Sequence, residues 1–314
     1  MKKTIWMFSG QGSQYYGMGR DLYEHEPVFR DAMKEGDAVV APLINRSLLE
    51  ILYAPRANRF EPFLPIMQTH PAIMLVEVAL ARLLTHRGMR PDFLLGYSLG
   101  EYTALVVSGA LTLEEALTTL VRQAALLEYA APRGAMAAIL EDPEITRRWP
   151  ELFAECEVAG VHFNRNFVVS APEGVIAERL LPGLRERGIS AMELPVLFPF
   201  HSRWMDAIAT PANAILSALT PKPPAIPILS AATGTLWDGR NPGHLWEATR
   251  CRIDFGAVVT ALEARESWRY IDLGPSGSMA TAVKYNLREG SASEPLTIMT
   301  PYGNERKHLA RITG

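Results

Sequence analysis

The alternation of apolar and polar positions divides the chain before any residue is given a role. A short apolar run, "TIWMFSG", has the length of a buried strand and ends in a glycine-rich turn. Helical spacing follows over 21–36 and 46–53, with a proline-rich connection near Pro62 and Pro65. The strongest apolar segment, "AIMLVEVALARLL", belongs to a long helix reaching about Arg87, with Pro71 in the first turn, where proline is tolerated. "RPDFLLGYS" returns to strand, and "LGEYTALVVSGA" to a helix stopped by Gly109. "TLEEALTTLVRQAALLEYAA" is another helix, with Thr112 as N-cap and Glu115 completing a capping box.

Between about 133 and 196 the period changes. "GAMAAIL" is strand-like, and "DPEITRRWPEL", opened by Asp142-Pro143, is helix-like. "CEVAGVHF" and "NFVVSA" are strand-like, "EGVIAERLLPGLRERG" is helical and "SAMELPV" is again strand-like. The order βαββαβ is that of a ferredoxin-like unit. It reads as an insertion, residues 133–196, in a larger α/β domain made of 1–132 and 197–314. After it, helices and short strands resume in "SRWMDAIATPANAILSAL", "IPILSA", "FGAVVTALEAR", "SWRYIDLGP" and "SGSMATAVKYNL".

Composition narrows the class. At about 150 residues per domain, 314 residues suggest one large domain or a domain with a subdomain. Hydrophobic residues make up 48% and charged residues 21%, ordinary for a globular chain. A formal net charge of -3 points neither to nucleic acid nor to a membrane surface. Glu77 and Arg82 argue against a membrane span in the most apolar segment. The two N-terminal lysines resemble the start of a signal peptide, but the apolar stretch stops at Ser9, too short for one. Cys156 and Cys251 are too few for a disulfide framework and fit no metal spacing, so a reducing cytoplasm is expected. The seven histidines are scattered without a metal-binding pair.

The chemistry concentrates at "GYSLG", 96–100, a G-x-S-x-G stretch between a strand and a helix. Such an elbow exposes the serine Oγ on a strained turn, and glycines at 96 and 100 make room for it. Ser98 is then a candidate nucleophile, and the Leu99 N–H a donor to a developing oxyanion at the helix start. A plain βα turn with a serine cap is the simpler alternative. A serine nucleophile needs a base. Of the histidines, His201 in "FPFHSRWMD" is the best candidate, in a Pro- and Phe-rich loop after the inserted unit. His25, His86, His244 and His308 read as surface or satisfied residues.

The chain resembles the malonyl-CoA:acyl carrier protein transacylase family, which includes the acyltransferase domains of polyketide and fatty acid synthases. The resemblance covers nearly the whole length. It rests on "FSGQGSQYYGMG" at 8–19, "GYSLGEYTALVVSGALT" at 96–112, "GAMAAI" at 134–139 and "FHSRWMD" at 200–206, with a weaker "DLGP" at 272–275. It implies an α/β-hydrolase-like core with a ferredoxin-like subdomain. It also implies Ser98 as nucleophile, His201 as base, and Gln11 as the second oxyanion donor beside Leu99. Without the resemblance "GQGSQ" would pass for a flexible glycine turn. In the family a backbone carbonyl orients the histidine; here the matching position is Cys251, in "CRIDF". Asp254 is the alternative orienting group, unless it caps the helix after it. Cys251 itself can also be read as a small buried residue.

Several positions depart from the family. Malonyl-specific members carry an arginine 25 residues after the serine, which clamps the malonyl carboxylate; here that position is Gln123. Arg122 is adjacent, but helix neighbours point about 100° apart. A carboxylate buried without a cation costs several kcal/mol, so an uncharged acyl chain suits Gln123 better. Gln123 as an indifferent helix residue is the bland reading. Tyr97 stands where the family has histidine, His70 where it has glutamine, and His162 where it has an asparagine. Tyr97 and His70 read as repacked pocket wall. His162 is either a second polar group at the site or a buried strand histidine, the latter slightly preferred. Phe200 completes the expected pocket. Stand-alone members without the arginine resemble the acyl hydrolases that clear carrier proteins in trans-acyltransferase polyketide synthases, and that activity is expected here. A transferase for non-carboxylated acyl groups and a non-catalytic carrier-docking module are the alternatives. The expected partner is an acyl carrier protein, with acyl-CoA as a further donor, and Arg20, Arg147, Arg203 and Lys284 as a basic rim. No metal or organic cofactor is expected, since phosphopantetheine arrives on the carrier.

Overall fold

The computed structural model describes residues 2–55, 58–239, 241 and 243–314. In chain order its strands are β1 (Lys3–Phe8), β2 (Phe93–Gly96), β3 (Gly134–Ile139), β4 (Glu157–Phe163) and β5 (Asn166–Pro172). There follow β6 (Ala191–Glu193), β7 (Ile228–Ser230), β8 (Ile253–Asp254), β9 (Trp268–Asp272) and β10 (Glu294–Thr297). They form two sheets. The first runs β10-β9-β1-β2-β7, with every pair parallel. Its central strands are apolar where helices cover both faces, and Ile5 to Phe8 are completely buried.

The second sheet runs β6-β3-β5-β4-β8. Its first four strands are antiparallel and stand in the order expected of a βαββαβ unit. The fifth, β8, comes from much later in the chain and pairs parallel with β4. The fold is thus an α/β-hydrolase-like core joined to a ferredoxin-like sheet.

Several helices differ from their sequence expectation. The 21–36 helix is two, Arg20–His25 and Pro27–Ile44, because Pro27 starts a new helix rather than continuing the old one. The 46–53 segment forms Leu48–Leu52, capped by Ser47. The long helix begins at Ile66, not near Pro71, so Pro71 lies inside it. Burial of that helix on nearly every side outweighs the hydrogen bond that a proline cannot donate. "DPEITRRWPEL" yields only the four-residue helix Ile145–Arg148. The Leu113–Ala130 helix has its capping box, with Thr112 and Glu115 bonded reciprocally.

Parallel register places the site. Phe8 at the end of β1 stands opposite Gly96 at the end of β2, so the loops leaving both strands emerge side by side. Sites of open α/β sheets form at such carboxyl ends.

Candidate active site

Ser98 follows β2 by two residues and has a positive φ of 56°, a left-handed conformation rare outside glycine. Its neighbours must be small. A Cβ at Gly100 would lie 2.1 Å from the Phe8 carbonyl oxygen, and one at Gly10 would lie 2.9 Å from the Ser98 Cβ. The 9–14 loop is therefore pressed directly against the serine. Neither the Gln11 nor the Leu99 N–H finds an acceptor in the protein among the described residues. Both residues line the same cavity as Ser98. The Gln11 side chain is occupied elsewhere, donating from Nε2 to Thr69 Oγ1 at 3.0 Å.

His201 Nε2 lies 2.9 Å from Ser98 Oγ, and its Nδ1 lies 2.9 Å from the Cys251 carbonyl oxygen. A carbonyl only accepts, so Nδ1 carries the proton and Nε2 is free to accept one from serine. The His201 N–H donates to the Thr249 carbonyl at 3.0 Å, so the 249–251 segment holds both backbone and ring. Burial drives His201 down to about 4, against the Cys251 hydrogen bond, which favours the charged form; His162 nearby lowers it further. At neutral pH the ring is uncharged.

Two alternatives left open by the sequence are decided here. Asp254 makes no contact with His201: its carboxylate accepts from the Ala257 N–H at 3.0 Å and caps the Phe255–Glu263 helix. Cys251 is exposed, not buried, because only its carbonyl turns inward.

Ser98 opens on a cavity of about 630 Å³ between the two sheets. Gln123, Tyr97, His70, His162 and Phe200 all line it, and so do Leu120, Leu126, Met136 and Val168. No Arg, Lys, Asp or Glu lines it among the described residues. Arg122 is exposed and does not line the cavity. Gln123 is buried and accepts a hydrogen bond from the Tyr102 hydroxyl. His70 is buried near Phe200, with ring centroids 6.1 Å apart, and burial drives it down to about 3.

His162 is not an isolated strand histidine. The Tyr97 hydroxyl lies 2.9 Å from its Nε2, and its Nδ1 lies 2.8 Å from Asn166 Oδ1. Tyr97 is thus more than wall. Asn166 and Tyr102 were not legible as site residues, since each matters through a partner that only packing brings near. Of the expected basic rim, Arg147 pairs with Glu144 and Arg203 with Glu157, while Arg20 lies over the Tyr53 ring and keeps its charge. Lys284 is exposed.

Comparison with known proteins adds the ancestry. Residues 5–308 match the acyl transferase domain family model. The chain is 36% identical over 308 residues to the polyketide biosynthesis acyltransferase homolog PksD of Bacillus subtilis (strain 168), covering 98% of this chain and 95% of that one. It is 37% identical over 308 residues to the homolog BaeD of Bacillus velezensis, with the same coverage. A loading acyltransferase from the avermectin modular polyketide synthase superposes with a TM-score of 0.89 at 26% identity, covering 99% and 100% of the two chains.

Proposed function

Because the chain belongs to the acyl transferase domain family, we propose that it is an acyl hydrolase that removes non-carboxylated acyl groups from acyl carrier proteins during polyketide biosynthesis. The observation that carries this is the cavity. It adjoins Ser98 and His201 yet holds no cation among the described residues, with Gln123 on the helix that would carry one. A malonyl carboxylate would be desolvated there without a partner, at a cost of several kcal/mol. A neutral acyl chain meets an apolar wall.

In this reading Ser98 Oγ attacks the thioester carbonyl and its proton passes to His201 Nε2. The tetrahedral oxyanion accepts from the Gln11 and Leu99 N–H groups, each worth about 3 kcal/mol at the transition state. The C–S bond breaks and the leaving pantetheine sulfur takes the proton from His201. Water then attacks the acyl-serine ester and gives a proton to His201. Collapse breaks the ester C–O bond, returns the proton to Ser98 and releases the acid. The Cys251 carbonyl keeps the histidine in the tautomer both halves require. Transfer to a second thiol in place of water is the competing outcome, and acyl-CoA is a further candidate donor.

The test loads holo-carrier protein with acetyl, butyryl or malonyl groups and follows it by mass spectrometry, with and without an unacylated acceptor carrier. Release of free acetate and butyrate without acceptor is expected, with malonyl slow. Product formed only when acceptor is present would identify a transferase, and inertness a docking module. Ser98→Ala should abolish turnover, and Gln123→Arg should raise malonyl use at least tenfold, the effect of about 1.4 kcal/mol.

A further inference from the structure

The amide of Gln123 is held in one orientation. Burial pushes the Tyr102 hydroxyl well above its ordinary pKa, so it keeps its proton. A buried O–H needs an acceptor, and the Gln123 carbonyl oxygen is the one it has among the described residues. The opposite amide orientation would turn NH₂ toward the hydroxyl and strand the tyrosine proton. Gln123 Oε1 is therefore engaged. Its Nε2 has no acceptor among the described residues, yet it is not among their sealed, unpartnered polar atoms. What remains of the Gln123 surface lies on the cavity wall.

The result is a fixed pair of N–H donors in an otherwise apolar stretch of wall formed by Leu120, Leu126, Leu127 and Met136. A saturated chain packed there leaves the donors unsatisfied, which costs about 1–3 kcal/mol. A carboxylate satisfies them but carries an uncompensated charge. An acyl chain with a neutral keto or hydroxyl oxygen satisfies them without that cost.

We propose that Gln123, oriented by Tyr102, selects acyl chains bearing a neutral hydrogen-bond-accepting oxygen over both saturated and carboxylated chains. The assignment rests on the acyl-serine reading above, since it presumes that the chain enters this cavity from Ser98. Gln123 is here a specificity residue that touches the substrate, and Tyr102 a positioning residue behind it. Oxygenated acyl thioesters are the products of ketide extension and ketoreduction, so reactions of that class would supply the substrate.

The experiment measures kcat/KM for acylation of Ser98 by pantetheine thioesters, using intact-protein mass spectrometry. The thioesters are butyryl, 3-hydroxybutyryl, 3-oxobutyryl, 5-hydroxyhexanoyl, hexanoyl and malonyl. The wild type is expected to favour at least one oxygenated chain over its saturated counterpart by about twofold to tenfold, the worth of one neutral hydrogen bond. Gln123→Met, which keeps the volume but not the donors, should reduce that ratio to about one. Tyr102→Phe frees the amide to turn and should lower the ratio too, so the test survives if one variant fails to fold. Equal rates for oxygenated and saturated chains in the wild type would overturn the proposal. So would an oxygen preference that persists undiminished in either variant. If no neutral thioester acylates Ser98 at all, both this assignment and the acyl-serine reading fail, a result distinct from equal rates.

Discussion

Cys251 contributes a carbonyl and Asp254 a helix cap, although the two are three residues apart and both were candidates to orient His201. Asp254→Ala should lower stability by about 1 kcal/mol in a denaturant melt, the usual cost of a lost N-cap. The pH profile of acylation should not move, because the contact between His201 and the Cys251 carbonyl is untouched. That profile is itself predictable from burial. His201 is held near 4, so it is unprotonated throughout the neutral range. In the proposed reading the acylation rate should be flat from pH 8 to about 5.5 and fall only as pH approaches 4, when His201 takes up a proton. An acid limb centred near 6.5, the ordinary imidazole value, would contradict it. At this scale the sequence was informative where chemistry is local. The G-x-S-x-G spacing and its strand–helix setting were readable. The Tyr97–His162 and Tyr102–Gln123 bonds were not, because each joins residues from different elements, 65 and 21 positions apart.

Among the elements, the helix Gly100–Val107 that follows Ser98 and the 9–14 loop are tied together through a third, the long helix Ile66–His86. Glu77 on that helix is fully buried and accepts from the Ser9 N–H at 2.6 Å, the Ser9 hydroxyl at 2.9 Å and the Thr103 hydroxyl at 2.7 Å. It thereby fixes the loop that carries Gln11 to the helix that follows Ser98. Burial raises Glu77 to about 8 in spite of those donors. The unfolded chain ionises this carboxyl near 4.5 while the folded chain keeps the proton. The stabilisation is therefore full below about 4.5 and is lost as pH rises toward 8. Melting temperature should fall between pH 6.5 and 8, and Glu77→Gln should flatten that slope. Glu77→Ala leaves the Ser9 and Thr103 donors unsatisfied beside a new cavity and should cost about 3 kcal/mol or more. In the sequence Glu77 served only to break an apolar run. Periodicity says that a polar residue is misplaced but not what it holds. Periodicity also misjudged the start of its helix, since packing on all sides tolerates a proline that local propensity would place at the end.

Across the whole molecule, the site is shared between two sheets. Ser98 is carried by the end of β2, in the parallel sheet. His201 lies in a loop attached to the other sheet. Its loop is anchored by the Ser170 hydroxyl donating to the Phe200 carbonyl at 2.5 Å and by the Gly134 N–H donating to the Leu197 carbonyl at 3.1 Å. The 249–251 clamp leads straight into β8, which pairs with β4. The βαββαβ order predicted four strands of that second sheet. It could not predict the fifth, a two-residue strand whose membership depends on a partner almost a hundred residues earlier in the chain. That small strand ties the carbonyl clamp on His201 to one sheet, while Ser98 is carried by the other. The 2.9 Å contact between Ser98 and His201 therefore spans the two sheets. Ile253 of that strand packs in one buried cluster with Ile5, Met7 and Leu95 of the parallel sheet, so the core between the sheets itself sets the distance across which the serine and the imidazole meet.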